Sequence, residues 1–175
     1  RCESPALIIA DAKRGDIGNS AAAYARAIFE KMNCDAITVS PYMGFESLEP
    51  FLAYGDRATI VLCRTSNPGA AEFQLRGDPP LYAEVARQAA RFADLFPDQV
   101  WLVVGATASR LEMESILSAA PGVPWLVPGV GAQGGDTADL FAVRGRECLV
   151  NVSRAILYAE NPAQAAADYA ELLHF

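Results

Sequence analysis

Short apolar runs alternate with helical patterns along the chain, and this alternation limits the possible folds more than any other feature. Residues 6–10, 36–39, 58–63, 100–104, 125–127 and 148–152 are short, continuous and rich in Val, Ile and Leu, as strands buried on both faces are. Between them the spacing predicts helices. The first starts at a cap on Asn19 or Ser20 and buries Tyr24, Ile28, Phe29 and Met32. Others run around 47–54, over 81–96 with Tyr82, Val85, Ala89, Phe92 and Phe96 on one face, over 109–119, and briefly after Ser153. In the last, Asn161 is the cap and Pro162 the opening residue. Residues 70–80 read as irregular, either a lid or a surface loop. Strands separated by helices give βαβ units and a parallel sheet, and 175 residues suffice for one sizeable core. Six strands are legible where a closed (β/α)8 barrel needs eight, so physics alone also allows an open doubly wound sheet.

The end of the first strand carries the densest chemistry, Asp11-Ala12-Lys13-Arg14-Gly15-Asp16-Ile17-Gly18-Asn19-Ser20. Alternation puts Leu7, Ile9, Asp11 and Lys13 on one face and Ile8, Ala10 and Ala12 on the other, so a carboxylate and an ammonium stand side by side. Asp16 follows in the strand-to-helix turn. On spacing alone the cluster is either a strand end with solvated charges or a reactive site. Later, Pro128-Gly129-Val130-Gly131-Ala132-Gln133-Gly134-Gly135 contains Gly-x-Gly-x-x-Gly. It comes too late in the chain for a dinucleotide fold and lacks the acidic residue about 20 positions on, but its backbone N–H groups can cradle a phosphate. Ser153 and Arg154, at the start of a short helix, can hold the same anion, although Arg154 is equally a solvated helix residue. Ser66, in Thr65-Ser66-Asn67-Pro68-Gly69, is a polar ligand or a simple turn cap.

A formal charge of -7 argues against a nucleic-acid surface, which needs clustered Lys and Arg. Cys2, Cys34, Cys63 and Cys148 are widely spaced with no Cys-x-x-Cys pair, so reduced thiols and a cytoplasmic location are expected. With His174 the one histidine, a Ser-His-Asp triad or a multi-histidine metal site is not available. No apolar run approaches eighteen residues, so membrane insertion is not expected.

Asp-x-Lys-x-x-Asp-Ile before a small-residue helix start resembles the signature of orotidine 5'-phosphate decarboxylases, and the Asp-Ala-Lys-Arg-Gly-Asp-Ile form is similar to one bacterial branch of them. The 127–135 loop, Thr65-Ser66-Asn67-Pro68-Gly69 and Asp35-Ala36-Ile37-Thr38-Val39-Ser40-Pro41-Tyr42-Met43-Gly44 resemble other segments of that family, with Ser40 where asparagine is more usual. The resemblance implies a (β/α)8 TIM barrel in a single domain over 1–175. This chain would supply about six βα units, strands three to eight, with the first two absent. It implies a cofactor-free and metal-free lyase of pyrimidine biosynthesis that converts orotidine 5'-phosphate to uridine 5'-phosphate. Asp11, Lys13 and Asp16 would be catalytic, with Lys13 held between the two carboxylates and donating the proton. Ile17, Ser20, Ser66, Pro128, Gly131, Gln133, Ser153 and Arg154 would bind substrate, Ser66 at the pyrimidine ring and Gln133 bridging base and phosphate. Asp16, Ile17 and Ser20 would reach the neighbouring site of a homodimer. A Mg²⁺-dependent sugar-phosphate decarboxylase or aldolase of the same superfamily, or a catalytically impaired nucleotide-binding fragment, is the alternative.

Overall fold

A computed structural model describes residues 6–130 and 147–173. The chain order is β1 (Ile9–Arg14), α1 (Gly18–Arg26), β2 (Ala36–Val39), α2 (Glu49–Leu52), β3 (Ala58–Arg64), α3 (Ala71–Gln74), α4 (Leu81–Leu95), β4 (Val100–Val104), α5 (Arg110–Ala119), β5 (Trp125–Pro128), β6 (Cys148–Asn151), α6 (Arg154–Leu157) and α7 (Pro162–Leu172). The six strands are parallel and pair strictly in chain order. A doubly wound sheet reverses its strand order at a switch point. No reversal occurs among the described strands, and a sheet that always adds its next strand on the same side is the architecture of a (β/α)8 barrel wall.

The two faces of this wall bury different residues. Ile9, Ala36, Ile60, Leu62, Val103, Leu126 and Leu149 form the inner cluster, which corresponds to a barrel lumen. The outer face, which includes Ile8, Ala10, Ile37, Val61, Cys63, Leu102 and Trp125, packs against the helices as the main core. Period-2 alternation thus assigns β1 as the sequence implied, with Ile9 inside and Ile8, Ala10 and Ala12 outside.

The helices depart from expectation in three places. The N-cap of α1 is Ile17, not Asn19 or Ser20, and no side chain caps it. The buried stripe of that helix is Ala21, Ala25, Ile28 and Phe29, whereas Tyr24 and Met32 are exposed. Alanines allow close approach to the sheet, and a wide turn at Ala27–Lys31, in which the Met32 N–H donates to the Ala27 carbonyl, shifts the later residues out of the 3.6-residue stripe. Residues 70–80 are not wholly irregular, because α3 forms within them and presents Gln74 to the carboxyl end of β3. Elsewhere the signals hold. The Asn161 side chain accepts the Gln164 N–H at 3.1 Å as its cap, and α5 opens on a reciprocal capping box of Ser109 and Glu112 that was not anticipated.

Cys34 and Cys63 are free and buried, and Cys148 is free and half-buried. Burial pushes the Cys63 thiol up to about 12, with the Arg64 charge opposing, so it is a protonated core side chain that donates to the Tyr82 carbonyl at 3.3 Å. No described helix is long and apolar enough to cross a membrane.

Candidate active site

The carboxyl ends of the strands surround a cavity of about 540 Å³ whose lining includes Ile9, Leu62, Val103 and Leu126 as an apolar floor. Asp11 and Lys13 come to it from β1, Ser66 from the turn after β3, Pro128 from β5, and Asn151 and Ser153 from β6 and its exit. Six inward side chains from four segments therefore converge on one space, at the end of the wall where barrel enzymes carry their chemistry.

Asp11 and Lys13 are in direct contact, with Nζ 2.6 Å from Oδ1. Thr38 of β2 donates to the same Oδ1 at 2.8 Å, and its hydroxyl accepts the Lys13 backbone N–H at 3.0 Å. Partial burial raises the Asp11 pKa, but the Lys13 and Thr38 hydrogen bonds and the Lys13 charge outweigh it and hold the carboxyl below its ordinary value. Asp11 is therefore an anion near neutral pH and the natural counter-ion for an ammonium. Among the described residues Asp11, not Asp16, is the ion-pair partner of Lys13. Within its own chain the Asp16 Oδ1 accepts the Ile17 N–H at 2.8 Å. Ile17 and Ser20 are exposed and Asp16 half-buried, and none of the three is in the cavity lining.

Ser66 and Pro128 also line a second, smaller cavity of about 150 Å³ together with Gly129, Asn151, Ser153 and Arg154. The two spaces thus share a wall. Ser153 donates to the Asn151 Oδ1 at 3.1 Å, and Arg154 adds a cation beside the backbone of Gly129 and Val130. A charged, planar donor in a small space shared with Gly129 and Ser153 suits a phosphate. Gly131 and Gln133 lie outside the described residues.

Two contributors were not singled out from the sequence. Thr38 was signalled by its position two residues after Ala36, which puts its hydroxyl on the inner face of β2. Gln74 was hidden by the irregular reading of its segment. It clasps Thr65, accepting the backbone N–H at 2.8 Å and donating to the hydroxyl at 2.9 Å, and so braces the turn that carries Ser66. Gly105, just past β4, completes that brace, because a Cβ there would lie 2.8 Å from the Ser66 backbone nitrogen. The neighbour in the way is main chain and cannot rotate aside. Gly105→Ala is expected to displace the turn and cost about 2 kcal/mol, in the range of core overpacking, read by urea denaturation. An unchanged midpoint would mean that the turn gives way freely.

Residues 1–169 match the model of the orotidine 5'-phosphate decarboxylase / HUMPS family. The chain is 51% identical over 166 residues to the orotidine 5'-phosphate decarboxylase of Cupriavidus necator, covering 91% of this chain and 60% of that protein. It is 45% identical over 162 residues to that of Herpetosiphon aurantiacus, again covering 91% and 60%. The chain thus spans about three fifths of the length of these curated relatives. Among solved structures, Leishmania donovani OMP decarboxylase superposes with a TM-score of 0.86 at 42% identity, covering 94% of this chain and 66% of that one. The Methanocaldococcus jannaschii orotidine 5'-monophosphate decarboxylase, complexed with the inhibitor BMP, gives 0.82 at 27%, covering 97% and 74%. With the inner-face Asp11 and Lys13 pair, the sequential parallel wall and a match over nearly its whole length, the chain belongs to the orotidine 5'-phosphate decarboxylase / HUMPS family.

Proposed function

We propose that this site converts orotidine 5'-phosphate to uridine 5'-phosphate without metal or organic cofactor, a reading supported by relatives that bear the name orotidine 5'-phosphate decarboxylase. The observation that carries the reading is the Lys13 Nζ, 2.6 Å from Asp11 above an apolar floor. Loss of CO2 from the pyrimidine leaves a carbanion in the ring plane with no conjugated electron sink, so stabilisation has to come from fixed charge. Lys13 supplies that charge and then transfers an Nζ proton to the ring carbon from which CO2 departed. Asp11 fixes the ammonium and organises the site's charge.

In this reading Ser66 meets the pyrimidine ring, Pro128 packs against the ligand, and Ser153 and Arg154 take the phosphate in the adjoining space. Gly131 and Gln133 are assigned to the same ligand, Gln133 between base and phosphate. Binding energy from the remote phosphate then helps position the ring. Asp16, Ile17 and Ser20, which do not line the cavity of their own chain, serve the second site of a homodimer. Residues 1–175 contribute to one barrel domain of a cytoplasmic enzyme of pyrimidine biosynthesis.

The test is the fall in ultraviolet absorbance of orotidine 5'-phosphate on a sample of verified intact mass, with and without chelator. Turnover that survives chelator is the expected result. Turnover abolished by chelator would transfer the site to the metal-dependent sugar-phosphate branch, and uridine 5'-phosphate binding without turnover would make the chain a nucleotide binder.

A further inference from the structure

We propose that Thr38 is the positioning residue of this site, its one hydroxyl fixing both the Asp11 carboxylate and the backbone from which Lys13 projects. The inference rests on the reading of Lys13 as proton donor. It starts from a break in the sheet. Ile9 pairs with Ala36 and Ala10 with Ile37, and a regular ladder would bring Ala12 opposite Val39, yet the residue there is Arg14. The strand therefore bulges between Ala10 and Arg14, and regular pairing resumes where the Ser40 N–H donates to the Arg14 carbonyl at 2.7 Å. Within the bulge Lys13 adopts φ +48°, a left-handed conformation that a side chain with Cβ rarely takes.

Such a conformation persists only where its surroundings hold it. Thr38 is 1% exposed and accepts the Lys13 N–H at 3.0 Å, replacing the main-chain acceptor that the bulge takes away. The same hydroxyl donates its hydrogen to Asp11 Oδ1 at 2.8 Å, so both of its hydrogen-bonding capacities used here serve the pair. The bulge sets three residues of β1, Asp11 to Lys13, against the single Thr38 of β2, and the hydroxyl makes that arrangement specific. Lys13 is the other charged side chain among the described residues lining the cavity, so Asp11 reports on these two partners.

Thr38→Val keeps the shape and removes the hydroxyl, whereas Thr38→Ser keeps the hydroxyl. The Asp11 carboxyl is titrated by carbon-13 NMR in each protein, and kcat and KM for orotidine 5'-phosphate are measured alongside. In Thr38→Val the Asp11 pKa should rise toward its ordinary value and kcat should fall about tenfold, the worth of one hydrogen bond to a charged group, with KM little changed. Thr38→Ser should retain both properties. An Asp11 titration in Thr38→Val that overlays the parent overturns the proposal whatever the chain's turnover, and so does a shifted titration with unaltered kcat. Loss of the decarboxylase reading is a separate result: Lys13→Ala would then turn over like the parent while the Asp11 titration still responded to Thr38→Val.

Discussion

Lys13→Ala is expected to lower turnover of orotidine 5'-phosphate by about 10³-fold or more. General acid catalysis contributes roughly 10² to 10⁴, and removal of one preorganised electrostatic donor costs roughly 10² to 10³. The effect should fall on kcat, because the ammonium is most needed when negative charge has developed on the ring, whereas the contacts proposed for Ser66 and Arg154 would hold ground state and transition state alike. The fold should tolerate the change. Lys13 and Asp11 are each more than half exposed at the side chain, and pairs so open to solvent contribute little to stability. Lys13→Arg separates the two roles assigned to the side chain. It retains a cation near Asp11, but a guanidinium does not give up a proton in a protein, so it should recover part of the electrostatic effect and none of the proton transfer. The readout is steady-state kinetics with a parallel thermal melt. Turnover by Lys13→Ala equal to that of the parent, with an unchanged melt, would refute the assignment of the proton to this residue.

How far the site could be read in advance differs from residue to residue. Strand periodicity sufficed to assign the faces of β1 up to Asp11, because alternation follows from backbone geometry and Ile8, Ile9 and Ala10 fix which face is which, whereas Lys13 reaches the same cavity from within the bulge. The helix cap Asn161 was legible for a similar reason, since its side chain satisfies an N–H group only three residues away. The bulge in β1 was not. Nothing local marks Lys13 as left-handed, and its conformation depends on a hydroxyl 25 residues further along the chain. The start of α1 was misjudged because Asn19 and Ser20 are good caps in isolation, yet the helix begins earlier, directly after Ile17. Gln74 shows a third kind of failure. Its role depends on Thr65, and the short helix that carries it has little propensity signal of its own.

Glu112→Ala is expected to cost about 3 kcal/mol or more at neutral pH, the scale for removing one partner of a buried ion pair. Glu112 Oε1 lies 2.7 Å from Arg64 Nε, with side-chain exposures of 15% and 11%, so the guanidinium left behind would be a nearly buried, unpaired charge. The second carboxylate oxygen accepts the Ser109 N–H at 2.6 Å, and the alanine therefore also opens the capping box of α5. For a domain of this size the loss corresponds to a fall in melting temperature of roughly 10 °C. Glu112→Gln, which keeps the shape and one acceptor, should lose less. The pair also reaches the ligand site, because Arg64 donates to the Thr65 carbonyl at 2.6 Å beside Ser66. Weaker uridine 5'-phosphate binding should therefore accompany the lost stability. Acid distinguishes the charge from the packing. Burial raises the Glu112 pKa, but hydrogen bonds from Arg64 and Ser109 and the Arg64 charge hold it below the ordinary 4.5. A carboxyl depressed in the folded state stabilises above its unfolded pKa, and that contribution disappears as pH falls through the folded value. The gap between parent and Glu112→Gln in urea denaturation should thus be full at pH 7 and shrink once the pH drops below about 4.5. A gap that stays constant down to acid would mean that the glutamate acts by shape and hydrogen bonding, with its charge contributing nothing.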